Sequence, residues 1–178
     1  VLQVDLSVEP ASASTSDAAP GSMRRLVADA FGNLYAGGYQ RRGGRDYWQV
    51  RQSSDGGASW LVVDDAHAWN KDGGSAAQGL TTDLAGNVFA SGSAQDRQGK
   101  EFWVIRRGLN RGQTWATVYR SSKPQAKGMG AAFLAPTAAH AGGVFAVGTL
   151  TATKTTQWSV LRSRDSGGTW QWVDAWGP

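Results

Sequence analysis

The chain has 178 residues, a formal net charge of +4 and no Cys. That length suits one compact body, and the lack of Cys excludes disulfides and thiolate metal sites. The basic balance is mild and no nucleic-acid module motif accompanies it, so it reads as a solvated surface and not as a nucleic-acid footprint.

Residues 1–8 alternate, with Leu2, Val4, Leu6 and Val8 on one face, which predicts an orphan outer strand. Residues 9–20 are rich in Ala, Ser and Pro and read as a flexible connector. Three similar units follow, over 21–70, 71–124 and 125–178. The first holds Ser53-Ser54-Asp55-Gly56-Gly57-Ala58-Ser59-Trp60. The second holds Gly108-Leu109-Asn110-Arg111-Gly112-Gln113-Thr114-Trp115, and the third Ser163-Arg164-Asp165-Ser166-Gly167-Gly168-Thr169-Trp170. The step is 55 residues both times. Trp48, Trp103 and Trp158 keep the same step. A repeat of this length means stacked supersecondary units, none of which buries its apolar face alone.

Each unit reads as four short antiparallel strands. In the second they are expected over 78–83, 87–94, 101–107 and 114–120. Within the third of these, Trp103, Ile105 and Arg107 point one way, and Phe102, Val104 and Arg106 the other. Gly32-Asn33 and Gly86-Asn87 signal tight turns before the second strands, and residues 140–141 replace that turn in the third unit. No sustained 3.6-residue period appears, so little helix is expected. In the octapeptide, the Asp or Asn oxygen accepts from backbone N–H groups of its own turn, and Gly57, Gly112 and Gly167 supply positive φ. Six of the nine Trp residues occupy the two repeated positions and are expected to form the core. Burying each is worth about 4–6 kcal/mol gross.

The octapeptide resembles the Asp-box, the repeat of bacterial neuraminidases, and the likeness covers about residues 22–176. It implies an all-β fold of four-stranded β-propeller blades, three here plus the N-terminal strand. It implies structural roles for Asp55, Gly57, Trp60, Asn110, Gly112, Trp115, Asp165, Gly167 and Trp170, on outer hairpins remote from the ligand face. The second copy departs from the pattern, with Gly108 for Ser and Asn110 for Asp, which loosens its turn. Families with this box have unrelated functions, so the resemblance implies fold more than activity. Three blades do not close a ring. Either further copies or another propeller chain complete it, or the chain is a piece of a longer propeller; an open wedge is the third possibility.

Sialidases of this kind use Arg clusters, a general acid and a Tyr/Glu nucleophile pair. Here Arg24 and Arg25 lie on the first expected strand, and Arg41, Arg42, Arg45 and Asp46 in the loop before the third. A guanidinium group there suits the carboxylate of an acidic sugar. Arg25-Leu26-Val27 stands where the family has Arg-Ile-Pro, and the only Glu residues are Glu9 and Glu101. No pair of carboxylates flanks one bond, so no catalytic residue is assigned. Trp69 and Trp176 are candidate surface aromatics for a sugar or a partner, and Trp172 is expected as filler. His67 and His140 lack ligand spacing, and Asp64, Asp65 and Asp72, read as loop acids, supply too few oxygens for calcium. No metal, cofactor or membrane span is expected; Pro136, His140 and several Gly break the most apolar stretch, 131–150. The chain begins at Val1 without a signal peptide, which reads as a processed or excised product. The expected role is a non-catalytic extracellular or periplasmic binding and assembly module. The alternative is a sialidase-like hydrolase or lectin.

Overall fold

The computed structural model describes residues 21–138, 142–152 and 155–177. The predicted strand at 1–8, the connector at 9–20 and His140 lie outside the described residues. Among the described residues, twelve strands form three antiparallel sheets of four. The first contains β1 (Gly21–Ala28), β2 (Leu34–Arg42), β3 (Arg45–Ser53) and β4 (Leu61–Asp65). After a single helical turn, α1 (Ala66–Trp69), come β5 (Ser75–Thr82), β6 (Val88–Gln95), β7 (Glu101–Leu109) and β8 (Thr114–Arg120). The third contains β9 (Ala126–Leu134), β10 (Gly143–Ala152), β11 (Thr155–Ser163) and β12 (Gln171–Trp176). Strands follow one another in chain order within every sheet, as hairpins require. The sheets stack in series: β5 crosses β1, β2 and β3, and β9 crosses β5, β6 and β7.

Alternation dictates which residues enter the stack. Trp48 and Val50 face the second sheet, and Trp103 and Ile105 the third. Both indoles are fully buried. Each needs a flat place to land. A Cβ on Gly92 would lie 2.6 Å from the Trp48 ring, and one on Gly128 2.5 Å from the Trp103 ring. Those glycines are small because an indole occupies the space. The indoles of Trp60 and Trp115 are half-buried and donate to the carbonyls of Gly57 at 3.1 Å and Gly112 at 2.9 Å. The expectation that all six repeated Trp residues form core fails at Trp158, which is 56% exposed. Its side faces away from the second sheet, where no described sheet covers it. Trp172, by contrast, is a packing residue, edge-on to Trp103 at 5.8 Å and to Tyr119 at 6.3 Å.

The first and second sheets share a buried ion pair. Arg106 on β7 grips Asp64 on β4 with two bonds of 2.7 Å, donates to Thr117 at 3.0 Å and lies over the Trp69 ring at 4.6 Å. Asp64 is therefore a strand residue, not a loop acid. Asp65 and Asp72 likewise hold Arg42 and Arg97, at 3.0 and 2.8 Å.

The Asp turns differ as their residues differ. Asp55 accepts from Ser59 N at 2.9 Å and from the Ser53 hydroxyl at 2.7 Å, while the Gly57 N–H donates to Ser53 Oγ at 2.9 Å. Asp165 repeats this with Thr169 N at 2.8 Å, Ser163 at 2.8 Å and Gly167 N at 2.7 Å. Gly108 has no hydroxyl to offer. The middle turn closes through Gln113 N and Leu109 O at 3.0 Å, with Asn110 at φ 51° and Arg111 at φ 59°. A second acidic turn precedes β2 and β6. Asp29 accepts from Phe31 N and Asn33 N at 2.9 Å, and Asp83 from Ala85 N and Asn87 N at 3.0 and 2.9 Å.

Candidate functional site

The first strand of every sheet carries a bulge at the same place. Met23 pairs with Gly38 and Arg25 with Gly37, so Arg24 is unpaired; in the second sheet the unpaired residue is Gln78, and in the third Met129. A bulge swings its extra residue out of the pleat, and bulges re-aim side chains toward sites. Here they bring Arg24 and Gln78 together: the Arg24 guanidinium donates to the Gln78 amide oxygen and lies over the Tyr39 ring at 5.1 Å.

Arg24 and Gln78 line a cleft of about 330 Å³ between the first two sheets. Arg41, Arg45 and Asp46 line it from the β2–β3 hairpin, Ser93 and Gln95 from β6, and Glu101 from β7. The hairpin is tighter than the loop expected from sequence. Arg41 and Arg42 end β2, Arg45 and Asp46 begin β3, and only Gly43 (φ 55°) and Gly44 (φ 78°) turn the chain. Positive φ at both central positions is the hairpin geometry that glycine permits. The β2–β3 hairpin lies at the opposite end of the sheet from the Asp55 turn, which joins β3 to β4.

Charge is unevenly matched in the cleft. Arg41 is satisfied by Asp46 at 2.8 Å, whose hydrogen bond and charge push the guanidinium still higher than usual. Glu101 is held by Lys127 at 3.1 Å. Arg45 donates to the Asp72 carbonyl at 3.1 Å. Among the described residues, neither Arg24 nor Arg45 has a carboxylate partner. The arrangement therefore offers two guanidinium groups without an ion-pair partner, in a cleft also lined by amide and hydroxyl groups, to an anionic ligand. It offers no free acid. Both carboxylates in the cleft are ion-paired, and Tyr47, beside Asp46 on β3, donates its hydroxyl to the Lys71 carbonyl at 3.3 Å.

Of the residues singled out from sequence, Arg24, Arg41, Arg45, Asp46 and Glu101 meet here. Arg25 lines a second cleft with Leu26, Arg51 and Trp60, which Arg24 also borders. Trp69 packs in a T-shaped contact with Trp48 at 5.8 Å, and Arg106 lies over its ring. Trp176 is 74% exposed and pairs across strands with Trp158 on the third sheet, away from the cleft. Gln78, Ser93 and Gln95 carry no motif that singles them out; the 54-residue interval from Arg24 to Gln78 is the one trace of their partnership. Among the described residues no cluster of His, Asp and Glu has the makings of a metal centre, and no helix is long and apolar enough to cross a membrane.

No protein-family profile and no curated protein matches the chain. Solved structures do match in fold. A Hadza microbial sialidase superposes with a TM-score of 0.66 at 14% identity, over 87% of this chain and 37% of its own. An α-L-arabinofuranosidase from Fusarium graminearum, solved with an iminosugar inhibitor, gives 0.62 at 13% identity, over 87% and 48%. A protein of unknown function from Dyadobacter fermentans gives 0.56 at 19%, over 84% and 49%. The chain thus spans less than half the length of each. The sialidase and the arabinofuranosidase are propeller glycosidases, and the present sheets follow that propeller-like arrangement.

Proposed function

We propose that the chain is a non-catalytic binding and assembly module of a propeller acting outside the cell, whose cleft takes a carboxylate-bearing saccharide. One observation carries this reading. Arg24 and Arg45 face a single cleft and, among the described residues, neither is ion-paired to a carboxylate, at the sheet end remote from the Asp turns. A sugar carboxylate supplies the missing charge, and the Gln78, Gln95 and Ser93 side chains suit hydroxyl groups. Assembly enters because the two end sheets each keep an outward face that further sheets, from copies of the chain or another propeller chain, would cover. Calorimetric titration with a sialyl-oligosaccharide and its desialylated counterpart tests the binding. The acidic sugar alone should bind, and Arg24→Ala or Arg45→Ala should weaken it at least about tenfold. Equal binding of both sugars would refute the reading.

The alternative is a sialidase-like hydrolase using the same cleft. The likeness to two glycosidases favours it. Turnover of a fluorogenic sialoside, lost on Asp46→Asn or Glu101→Gln, would establish it over the binding module.

A further inference from the structure

The outward faces of the first and third sheets repeat the two halves of an interface already present inside the molecule. Between the first and second sheets, Asp64 on the trailing face meets Arg106 on the leading face. Pairing registers identify the equivalents. Asp64 pairs with Val50, Tyr119 with Ile105 and Asp174 with Val160, one step of 55 apart each time. Arg106 pairs with Thr117, as Arg51 does with Val62 and Leu161 with Trp172. The second and third sheets thus meet through the apolar positions of Tyr119 and Leu161. The acid is left over at Asp174 on the outward face of the third sheet, and the guanidinium at Arg51 on the outward face of the first. Both are exposed, and among the described residues neither has an ion-pair partner.

The knobs and flat places follow the same rule. Trp48 lands on Gly92, and Trp103 on Gly128 and Gly148. Trp158 is the knob without a landing place. Gly38 is the register equivalent of Gly92 and Gly148, and a Cβ there would meet the Ser22 carbonyl just as theirs would meet those of Ala76 and Lys127. The first sheet therefore offers the same position free of a side chain.

We infer that two copies of the chain pair head to tail, with the Trp158 and Asp174 face of each on the Gly38 and Arg51 face of the other. This rests on the reading that the end faces take further sheets, and it names what supplies them. A heterologous contact closes when its rotation returns to the start. Propellers hold about 4–8 sheets, so with three described sheets per chain two copies fit and a third would make nine. The occupant is a second copy because one molecule carries both complementary halves.

Sedimentation velocity and light scattering of the chain test this. The expected mass is twice 18.9 kDa. Arg51→Asp or Asp174→Arg alone places like charges together at both contacts and should weaken pairing about a hundredfold. Both positions are exposed, so folding is preserved. The decisive step is mixing. The two single variants should pair with one another, because one contact is then native and the other is its charge-swapped form. The doubly swapped chain should also pair with itself. A monomer at all concentrations, pairing indifferent to either reversal, or growth into open polymers would each overturn the inference. Saccharide titration on the same samples separates the two ideas. A monomer that still binds the acidic sugar overturns the pairing alone, and a pair that binds no acidic sugar overturns the cleft reading alone.

Discussion

Removing Asp64 should cost far more than its position near a sheet edge suggests. Its side chain is 3% exposed and that of Arg106 is 6% exposed, so water solvates neither. The two bonds of 2.7 Å are bidentate and charge-assisted. Asp64→Ala strands the guanidinium with only the Thr117 hydroxyl and the Trp69 ring. Stranding a buried charge in this way costs about 3–5 kcal/mol, against at most about 1 kcal/mol for an exposed pair. The neighbouring interface supplies the control. Tyr119 and Leu161 hold the same register positions there, so Asp64→Tyr combined with Arg106→Leu imitates a packing the molecule already uses. That double variant should lie within about 2 kcal/mol of the parent, because a well-packed apolar pair replaces a buried ion pair at little cost. Urea unfolding followed by tryptophan fluorescence gives all four corners of the cycle. The coupling between the positions should exceed about 2 kcal/mol. A loss below about 1 kcal/mol for Asp64→Ala would refute the reasoning, since the pair would then be behaving as a solvated one.

Acid should loosen the Asp turns. The Asp165 carboxyl is held down to about 2, first by the Thr169 N–H and then by the Ser163 and Thr169 hydroxyls. Its folded value lies below the usual 3.8, so its contribution is complete above 3.8 and is lost as the pH falls through about 2; Asp165→Asn should flatten the dependence of the unfolding midpoint on pH in that window. Gly92→Val should lower the melting temperature, because the new Cβ would lie 2.1 Å from the Ala76 carbonyl as well as against Trp48, an overpacking worth about 1–3 kcal/mol or more. Trp48→Ala should destabilise by about 3–5 kcal/mol in denaturant titration, while Trp158→Ala in dilute, unpaired chain should cost under about 1 kcal/mol, since the first indole is fully buried and the second 56% exposed.

The repeat was readable because each unit must solve the same local problem. The strands expected over 87–94, 101–107 and 114–120 match β6, β7 and β8 to within two residues, since alternation and turn residues are local signals. The facing of Trp103 and Arg106 to opposite sides was readable for the same reason. What sequence equivalence does not carry is position in the stack. Trp158 holds the same position in the repeat as Trp48, yet of the two only Trp48 has a described sheet to enter. The Asp64–Arg106 pair was hidden because its members lie 42 residues apart in different units. The cleft was half visible. Arg24, Arg41, Arg45 and Asp46 stood out by charge, whereas the Arg24–Gln78 contact depends on two bulges, which leave no reliable trace in composition.

Units of one shape in one polypeptide run the risk of being shuffled, with the first stacked on the third in place of the second. The ionic and apolar versions of the same contact remove that freedom. A first sheet laid on the third would set Asp64 against Leu161, burying a lone carboxylate under a hydrocarbon, and the wrong order would be rejected by desolvation alone. The polar contact thus acts as a label that fixes the sequence of assembly among otherwise interchangeable parts.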